Sequence, residues 1–465
     1  MASLDELREE RLKKLRNYEA ARGTAYPIEL NPSNTVNEVR KEFESYRERG
    51  ETILLAGRVL AIRNQGALTF FDVHDGSGKI QVIAKKESLG DEAFTLLSDT
   101  LDAGDIVEVS GILIVTARGE ESLEARQWRF GAKSLRPLPD KWHGLKDDDE
   151  RFRHRYLETI REEAVRERFL TRSKIIQSIR NFLLEHNFVE FETPILQHLA
   201  GGASALPFET HHNALDIPLY LRIAPELSLK MLLIGGFPKV FEIGRSFRNE
   251  GIDVTHNPEF TSVEWYEAFG SATRSMKEVE ELMRRLVKET QGSLVLHFGG
   301  EEIDFEKPFH VITYEELLLK YADVSNREGK NAKELDSLYN RFCRPKLIEP
   351  TFITEYPEEM LPLAKRLREG TVDAFQLVVG GYELVKAFSE LNDPLDQRAR
   401  FEREAEKKAQ GDEEAQVSDE NFLEALEYGM PPAGGVGIGI DRLTMLLTDT
   451  KNIREVIYFP TLRPK

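Results

Sequence analysis

Apolar and polar positions along the 465-residue chain fall into three successive rhythms. Between Leu4 and Ala21, Leu and Tyr recur among Arg, Lys and Glu at spacings that suit one charged amphipathic helix. By default that helix is solvated, although its Arg and Lys side chains are also candidates for contact with a polyanion. From Ile53 to about Leu138 the pattern shortens to β-rich runs: Ile53–Leu60, Leu68–Val73, Lys79–Ala84 and Ile106–Val115. Turn signals such as Asp75-Gly-Ser-Gly separate them. A Pro-containing and then strongly charged stretch follows, from Arg136-Pro-Leu-Pro to Lys146-Asp-Asp-Asp-Glu, and reads as a linker. Helical periodicity returns over Ala164–Glu185, and β and helical segments then alternate. Asp396 to Glu420 is charged and polar enough to be an exposed helix or loop.

Four or five short strands in under 100 residues predict a small barrel of the OB-fold type, an architecture that also binds single-stranded nucleic acid. Phe70 and Phe71 are adjacent, so a strand directs one ring inward and the other outward, where it is a stacking platform for a base. The fold class is thus α+β: a helical extension over 1–50, a barrel over 51–140, a linker over 141–150 and a larger domain over 151–465.

Charge and cysteine usage narrow the function classes. With 63 Lys+Arg against 81 Asp+Glu, the formal charge of −18 argues against a generic nucleic-acid coat or membrane-surface binder, while leaving room for a local basic groove. The single cysteine, Cys343, cannot form an internal disulfide and reads as a packed thiol. Metal-spaced Cys/His clusters are missing, which argues against structural zinc and for a reducing compartment. No apolar run reaches the roughly 18 residues of a membrane span, and no signal-peptide core is evident. The expectation is a cytoplasmic protein.

Chemistry concentrates in three segments. No Walker-type G-x-x-x-x-G-K-[ST] occurs. Gly435-Val-Gly-Ile-Gly-Ile-Asp-Arg lacks the following βαβ unit and ribose acid of a dinucleotide site. Its glycines instead suit close approach of a strand and the next helix, with Arg442 on the helix's first turn beside a phosphate or purine. A second segment reads as strand, polar loop, strand, and carries Arg245, Arg248, Glu250 and His256 in the loop region, where the arginines and the histidine are donors suited to a triphosphate and a carboxylate. On its return strand Glu264 and Tyr266 share a face, as do Phe260 and Ser262. In the third segment Gly380-Gly381 predicts a two-residue hairpin turn that pairs Val378 with Glu383 and leaves Gln376 diagonal to Glu383, close enough to share a metal ion. Lys386, Phe388 and Glu390 have the opposite parity. Glu383 and Glu390 line one cavity only if a bulge intervenes.

In order, Phe191-Glu-Thr-Pro-Ile-Leu, Phe247-Arg-Asn-Glu and Gly437-Ile-Gly-Ile-Asp-Arg resemble the three motifs of class II aminoacyl-tRNA synthetases. The chain is similar to bacterial lysyl-tRNA synthetases over nearly its whole length, through stretches such as Arg151-Phe-Arg-His-Arg-Tyr-Leu, Tyr220-Leu-Arg-Ile-Ala-Pro-Glu-Leu and Ser389-Glu-Leu-Asn-Asp-Pro. The resemblance implies an antiparallel catalytic sheet flanked by helices, a homodimer, and ATP, L-lysine, Mg²⁺ and tRNA(Lys) as ligands. By matching positions it assigns Arg248 to the α-phosphate and substrate carboxylate. Glu250, His256 and Phe260 go to adenine and ribose, Arg442 to the γ-phosphate, and Gln376 and Glu383 to Mg²⁺, with Glu383 also at ATP. Gly202 and Glu226 take the α-amino group with Glu264 beside it, Tyr266 and Glu390 take the ε-ammonium, and Phe388 packs along the stem. Arg63, Phe70 and Gln81 match anticodon-binding positions.

Two positions depart from the pattern. Gln376 replaces a metal-binding Glu, and Lys386 replaces an Asn of the lysine pocket. Lys386 either turns away, forms an ion pair with Glu390, or alters specificity. Ligases for Asp or Asn fit poorly, because an acidic substrate would face carboxylates. A protein-lysylating paralogue would lack the barrel, and a nonenzymatic tRNA-binding relative is opposed by the retained Arg248, Glu250, Arg442, Glu383 and Glu390.

Overall fold

The computed structural model describes residues 3–139, 147–324, 330–412, 415 and 417–464. The chain divides into two compact units, Met1–Gly144 and Leu145–Lys465. Most of the expected linker lies outside the described residues.

In the first unit, helix α1 (Leu4–Arg22) starts at a capping box in which Ser3 and Glu6 satisfy each other's backbone N–H. It is less solvated than its composition suggests. Arg11 donates to the carbonyls of Ala103, Ser134 and Arg136, and the Tyr18 ring packs edge-on against Phe130. The barrel comprises β1 (Ile53–Gln65), β2 (Leu68–His74), β3 (Lys79–Lys85), β4 (Ile106–Val115) and β5 (Glu121–Ala132), closed in the order β1-β2-β3-β5-β4. Alternation along β2 buries Thr69, Phe71 and Val73 and turns Phe70 outward. The closed cylinder predicted from short apolar runs is what forms.

The second unit is built on a nine-stranded sheet. Eight of its strands form one path: β6 (Val189–Glu190), β7 (Lys239–Phe247), β8 (Glu259–Ala268), β9 (His310–Thr313), β10 (Thr351–Pro357), β11 (Thr371–Val379), β12 (Tyr382–Ser389) and β13 (Ala433–Gly439), in the spatial order β9-β10-β11-β12-β13-β8-β7-β6. Pairing is antiparallel except at the two ends, β9–β10 and β6–β7. One face is buried under helices α2 (Glu163–Glu185), α4 (Ala272–Gln291) and α7 (Ile440–Leu447). Phe182, Trp265, Leu282, Phe375, Ile438 and Leu443 belong to that core. The opposite face is left open in the middle of the sheet, with helix α3 (Glu226–Ile234) on one side.

Two details differ from the sequence reading or complete it. The charged segment after Asp393 forms helices α5 (Pro394–Ala409) and α6 (Glu420–Glu427), and α5 buries Gln397, Arg400, Phe401 and Glu404, so one face of it is packed. Arg400 is tolerated there because Asp396 and the Ala364 carbonyl take its donors. Cys343 is buried, with its thiol toward the Leu317 carbonyl, and burial pushes its pKa up to about 11.

Candidate active site

The open face of the sheet forms the floor of a cavity of about 400 Å³. Cross-strand partners put its residues in rows. Phe388 on β12, Gly435 on β13 and Tyr266 on β8 make one row, and Lys386, Gly437 and Glu264 make the next. Gly439 pairs with Ser262 in the third. The glycines on β13 are therefore the middle of the floor. A side chain at Gly435 would overlap the Glu390 carboxylate and the Tyr266 ring. Glycine there is required less for strand–helix approach, as the sequence suggested, than for letting two functional side chains meet above the strand.

A bulge makes the single wall possible. Val379 pairs with Tyr382 across the Gly380-Gly381 turn, both of whose residues have positive φ as a tight hairpin requires. Val378 pairs with Glu383, but Leu377 pairs with Val385, leaving Leu384 as the extra residue. The parity flips there. Glu383 therefore lines the same cavity as Lys386, Phe388 and Glu390.

At one end of the floor Glu390 is fully buried, and its carboxylate forms an ion pair with Lys230 of α3. Lys230 also donates to Glu226 Oε1 at 2.6 Å. The ion pair envisaged between Lys386 and Glu390 does not form, because Lys230 reaches Glu390 from the neighbouring helix. Burial opposes the charge on Lys230, yet Glu226 and Glu390 outweigh it and raise its pKa. Burial pushes Glu390 well above the usual carboxylate range, with Lys230 opposing. Tyr266 donates to Glu264 Oε2 at 2.9 Å. Burial and the nearby Glu226 raise the pKa of Glu264 to about 8. Gly202, at φ +88°, lines the cavity with its Cα against Glu226, where a Cβ would press on the Glu226 side chain.

Toward the other end, Arg248 stacks on Phe260, its guanidinium carbon 5.0 Å from the ring centre. Enclosure lowers the Arg248 pKa, and Glu250 and Glu264 oppose the shift. Arg442 lies on the first turn of α7, as the sequence predicts, and its Nη2 is 2.7 Å from His256 Nε2. Because arginine only donates, Nε2 must accept and Nδ1 carries the proton toward Asp253, 2.8 Å away. Asp441 holds α7 to the floor by accepting from the Thr261 N–H and pairing with Arg172, both at 2.7 Å. Arg245 has the opposite strand parity from this wall and pairs with exposed Glu259 instead of entering the cavity.

Lys386 points into the cavity, where solvent reaches it although protein surrounds it. That enclosure lowers its ammonium pKa, Glu383 and Glu226 oppose the shift, and Arg248 adds to it. It has not turned away. Gln376 is directly opposite Lys386 on β11, but its Oε1 accepts from Tyr356 Oη at 2.7 Å and it is almost fully buried. Of the two residues assigned to Mg²⁺, only Glu383 opens on the cavity.

In the barrel unit, Arg63 pairs across the strands with Phe70, and Asp72, two residues on, pairs with Gln81. Arg63, Phe70 and Gln81 therefore share the outer face of β1, β2 and β3.

Known proteins match both units. Residues 53–130 match the "OB-fold nucleic acid binding domain" family, and residues 147–463 match "tRNA synthetases class II (D, K and N)". A lysine–tRNA ligase of Moorella thermoacetica is 46% identical, with 98% of this chain and 97% of that protein covered. One from Synechococcus sp. (strain RCC307) is 45% identical over 99% of this chain and 97% of its own length. The chain belongs to the class II lysyl-tRNA synthetase family. Within this family fold, the charged residue at the cavity's closed end that the sequence reading missed is Lys230, the partner of Glu226 and Glu390. Its signal was present: a lone cation on the otherwise apolar helix Glu226–Ile234, four residues after Glu226, where an i,i+4 pair forms. The Arg222 to Glu242 ion pair, at 2.5 Å on the same face of the sheet as Glu264, was missed as well.

Proposed function

We propose that this chain activates L-lysine with ATP to lysyl-adenylate and transfers the lysyl group to the 3′ end of tRNA(Lys). The observation that carries this reading is the closed end of the cavity: Glu390 buried beside Phe388, Tyr266 and Glu264. A buried carboxylate next to a phenol and over an aromatic ring suits an ammonium on an apolar stem, and the desolvation cost of Glu390 falls when that ammonium arrives. Glu390 and Tyr266 take the ε-ammonium and Phe388 covers the methylenes. Gly202 and Glu226, with Glu264, take the α-amino group.

No side-chain nucleophile is needed. A carboxylate oxygen of lysine attacks the α-phosphorus of ATP; the new O–P bond forms as the bond to the bridging oxygen breaks, and that electron pair leaves with pyrophosphate. Arg248 holds the carboxylate and α-phosphate together, Glu250, His256 and Phe260 hold adenine and ribose, and Arg442 grips the γ-phosphate. Positioning and charge neutralisation then supply the rate enhancement. Mg²⁺, carried with ATP, would find Glu383 as its protein carboxylate and would neutralise phosphate charge.

Arg63, Phe70 and Gln81 would read the anticodon by stacking and hydrogen bonding. Exposed Val189, Ile195, Leu196 and Leu199 around the first motif support a homodimer through that segment. Among the described residues no helix is long and apolar enough to cross a membrane, in keeping with a cytoplasmic enzyme. Pyrophosphate exchange screened over twenty amino acids tests the reading. Lysine alone should give strong exchange; a stronger signal with another amino acid overturns it.

A further inference from the structure

The rows of the sheet set an order along the cavity. Phe388, Gly435 and Tyr266 lie at the ammonium end, and Gly439 leads into α7 and Arg442 at the phosphate end. Lys386 occupies the row between them, separated from Glu264 only by Gly437, which has no side chain to intervene. The reacting α-phosphate and carboxylate belong between those two ends. Lys386 is thus a fixed ammonium in the middle of the floor, and among the described residues no hydrogen bond or ion pair occupies it. Opposite it, Gln376 is turned to Tyr356, so the protein offers a metal only Glu383 on this wall.

We propose that the Lys386 ammonium is a catalytic cation that binds an α-phosphate oxygen of ATP and supplies, at the point of carboxylate attack, charge that a second protein-held metal ion would otherwise provide. An ammonium donates three hydrogen bonds and needs no ligand set, so a neutral Gln376 beside it costs the site nothing. The inference rests on the ligase reading above.

The test compares Lys386→Met and Lys386→Arg with the native chain at saturating Mg²⁺. Lysine-dependent pyrophosphate exchange gives kcat, calorimetry gives lysine affinity without ATP, and ³¹P NMR gives the resonances of a bound non-hydrolysable ATP analogue. In Lys386→Met, kcat should fall by about 100- to 1,000-fold, the loss expected for a transition-state charge partner. Lysine affinity should change by less than about threefold. Among the phosphorus resonances, the α signal should move most. Lys386→Arg should recover most of kcat, since charge and reach are kept. Native kcat in Lys386→Met, or an unmoved α resonance, overturns the proposal. So does tighter lysine binding with unchanged kcat, which would make Lys386 a gate on the amino-acid pocket. If the native chain itself shows no lysine-dependent exchange, the ligase reading fails instead, and the NMR shift still tests the Lys386–phosphate contact.

Discussion

Lys230 and Glu390 form an ion pair with no side-chain exposure on either partner, and the same ammonium holds Glu226. One cation thus fixes two carboxylates assigned to different ends of the same substrate. Replacing Lys230 by Met leaves Glu390 buried without its partner, a change that typically costs about 3–5 kcal/mol. The sign with pH follows from Glu390, whose folded-state pKa is raised. Above the ordinary carboxylate range its ionised form is penalised, so the deficit of Lys230→Met should be largest near pH 8 and smaller near pH 5. Urea denaturation at the two pH values measures it; an equal deficit at both would contradict the pairing.

Burial and the neighbouring Glu226 push the Glu264 carboxyl up to about 8, which favours its protonated form at neutral pH. An arriving ammonium favours the carboxylate and lowers that pKa, so lysine binding should release a proton at pH 7 and none well above pH 9. Calorimetry in buffers of different ionisation enthalpy counts the proton, and Glu264→Gln should abolish the release. The apparent lysine affinity should improve as pH rises through 8.

Gly435→Ala places a methyl group against the Glu390 carboxylate and the Tyr266 ring, and both are fixed by burial. Overpacking of about 1–3 kcal/mol corresponds to lysine binding weaker by roughly 10- to 100-fold. ATP binding, at the other end of the floor, should be nearly unchanged. Separate titrations distinguish the two.

Phe70→Ala removes the half-buried, outward-facing ring beside Arg63 while leaving Phe71 in the barrel core. Loss of one base-stacking contact, about 1–3 kcal/mol, should raise KM for tRNA(Lys) by roughly 10- to 100-fold. Pyrophosphate exchange, which needs no tRNA, should keep its native rate.

Leu196→Asp puts a charge on an exposed apolar segment that includes Ile195 and Leu199. Sedimentation should show a dimer for the native chain and a larger monomer fraction for the variant at equal concentration.

The sequence by itself determined the barrel and the division of Phe70 and Phe71 between its two faces, because a period of two along β2 separates neighbours without reference to anything distant, whereas which of the two faces inward came from how the barrel closes. It also determined Arg442's position on the first helical turn and the Gly380-Gly381 hairpin, both local consequences of glycine and chain direction. Tertiary structure alone decided who pairs with whom in the cavity. The bulge at Leu384 brought Glu383 to the side of Glu390, and Tyr356, twenty residues from Gln376, took the amide that the local hairpin pattern offered to a metal. Lys230 lies 160 residues before Glu390, and no period connects them. A buried carboxylate needs a counter-charge, but which cation reaches it depends on how α3 packs against the sheet. Among the described residues, that packing leaves Lys386 without an ion pair in the cavity.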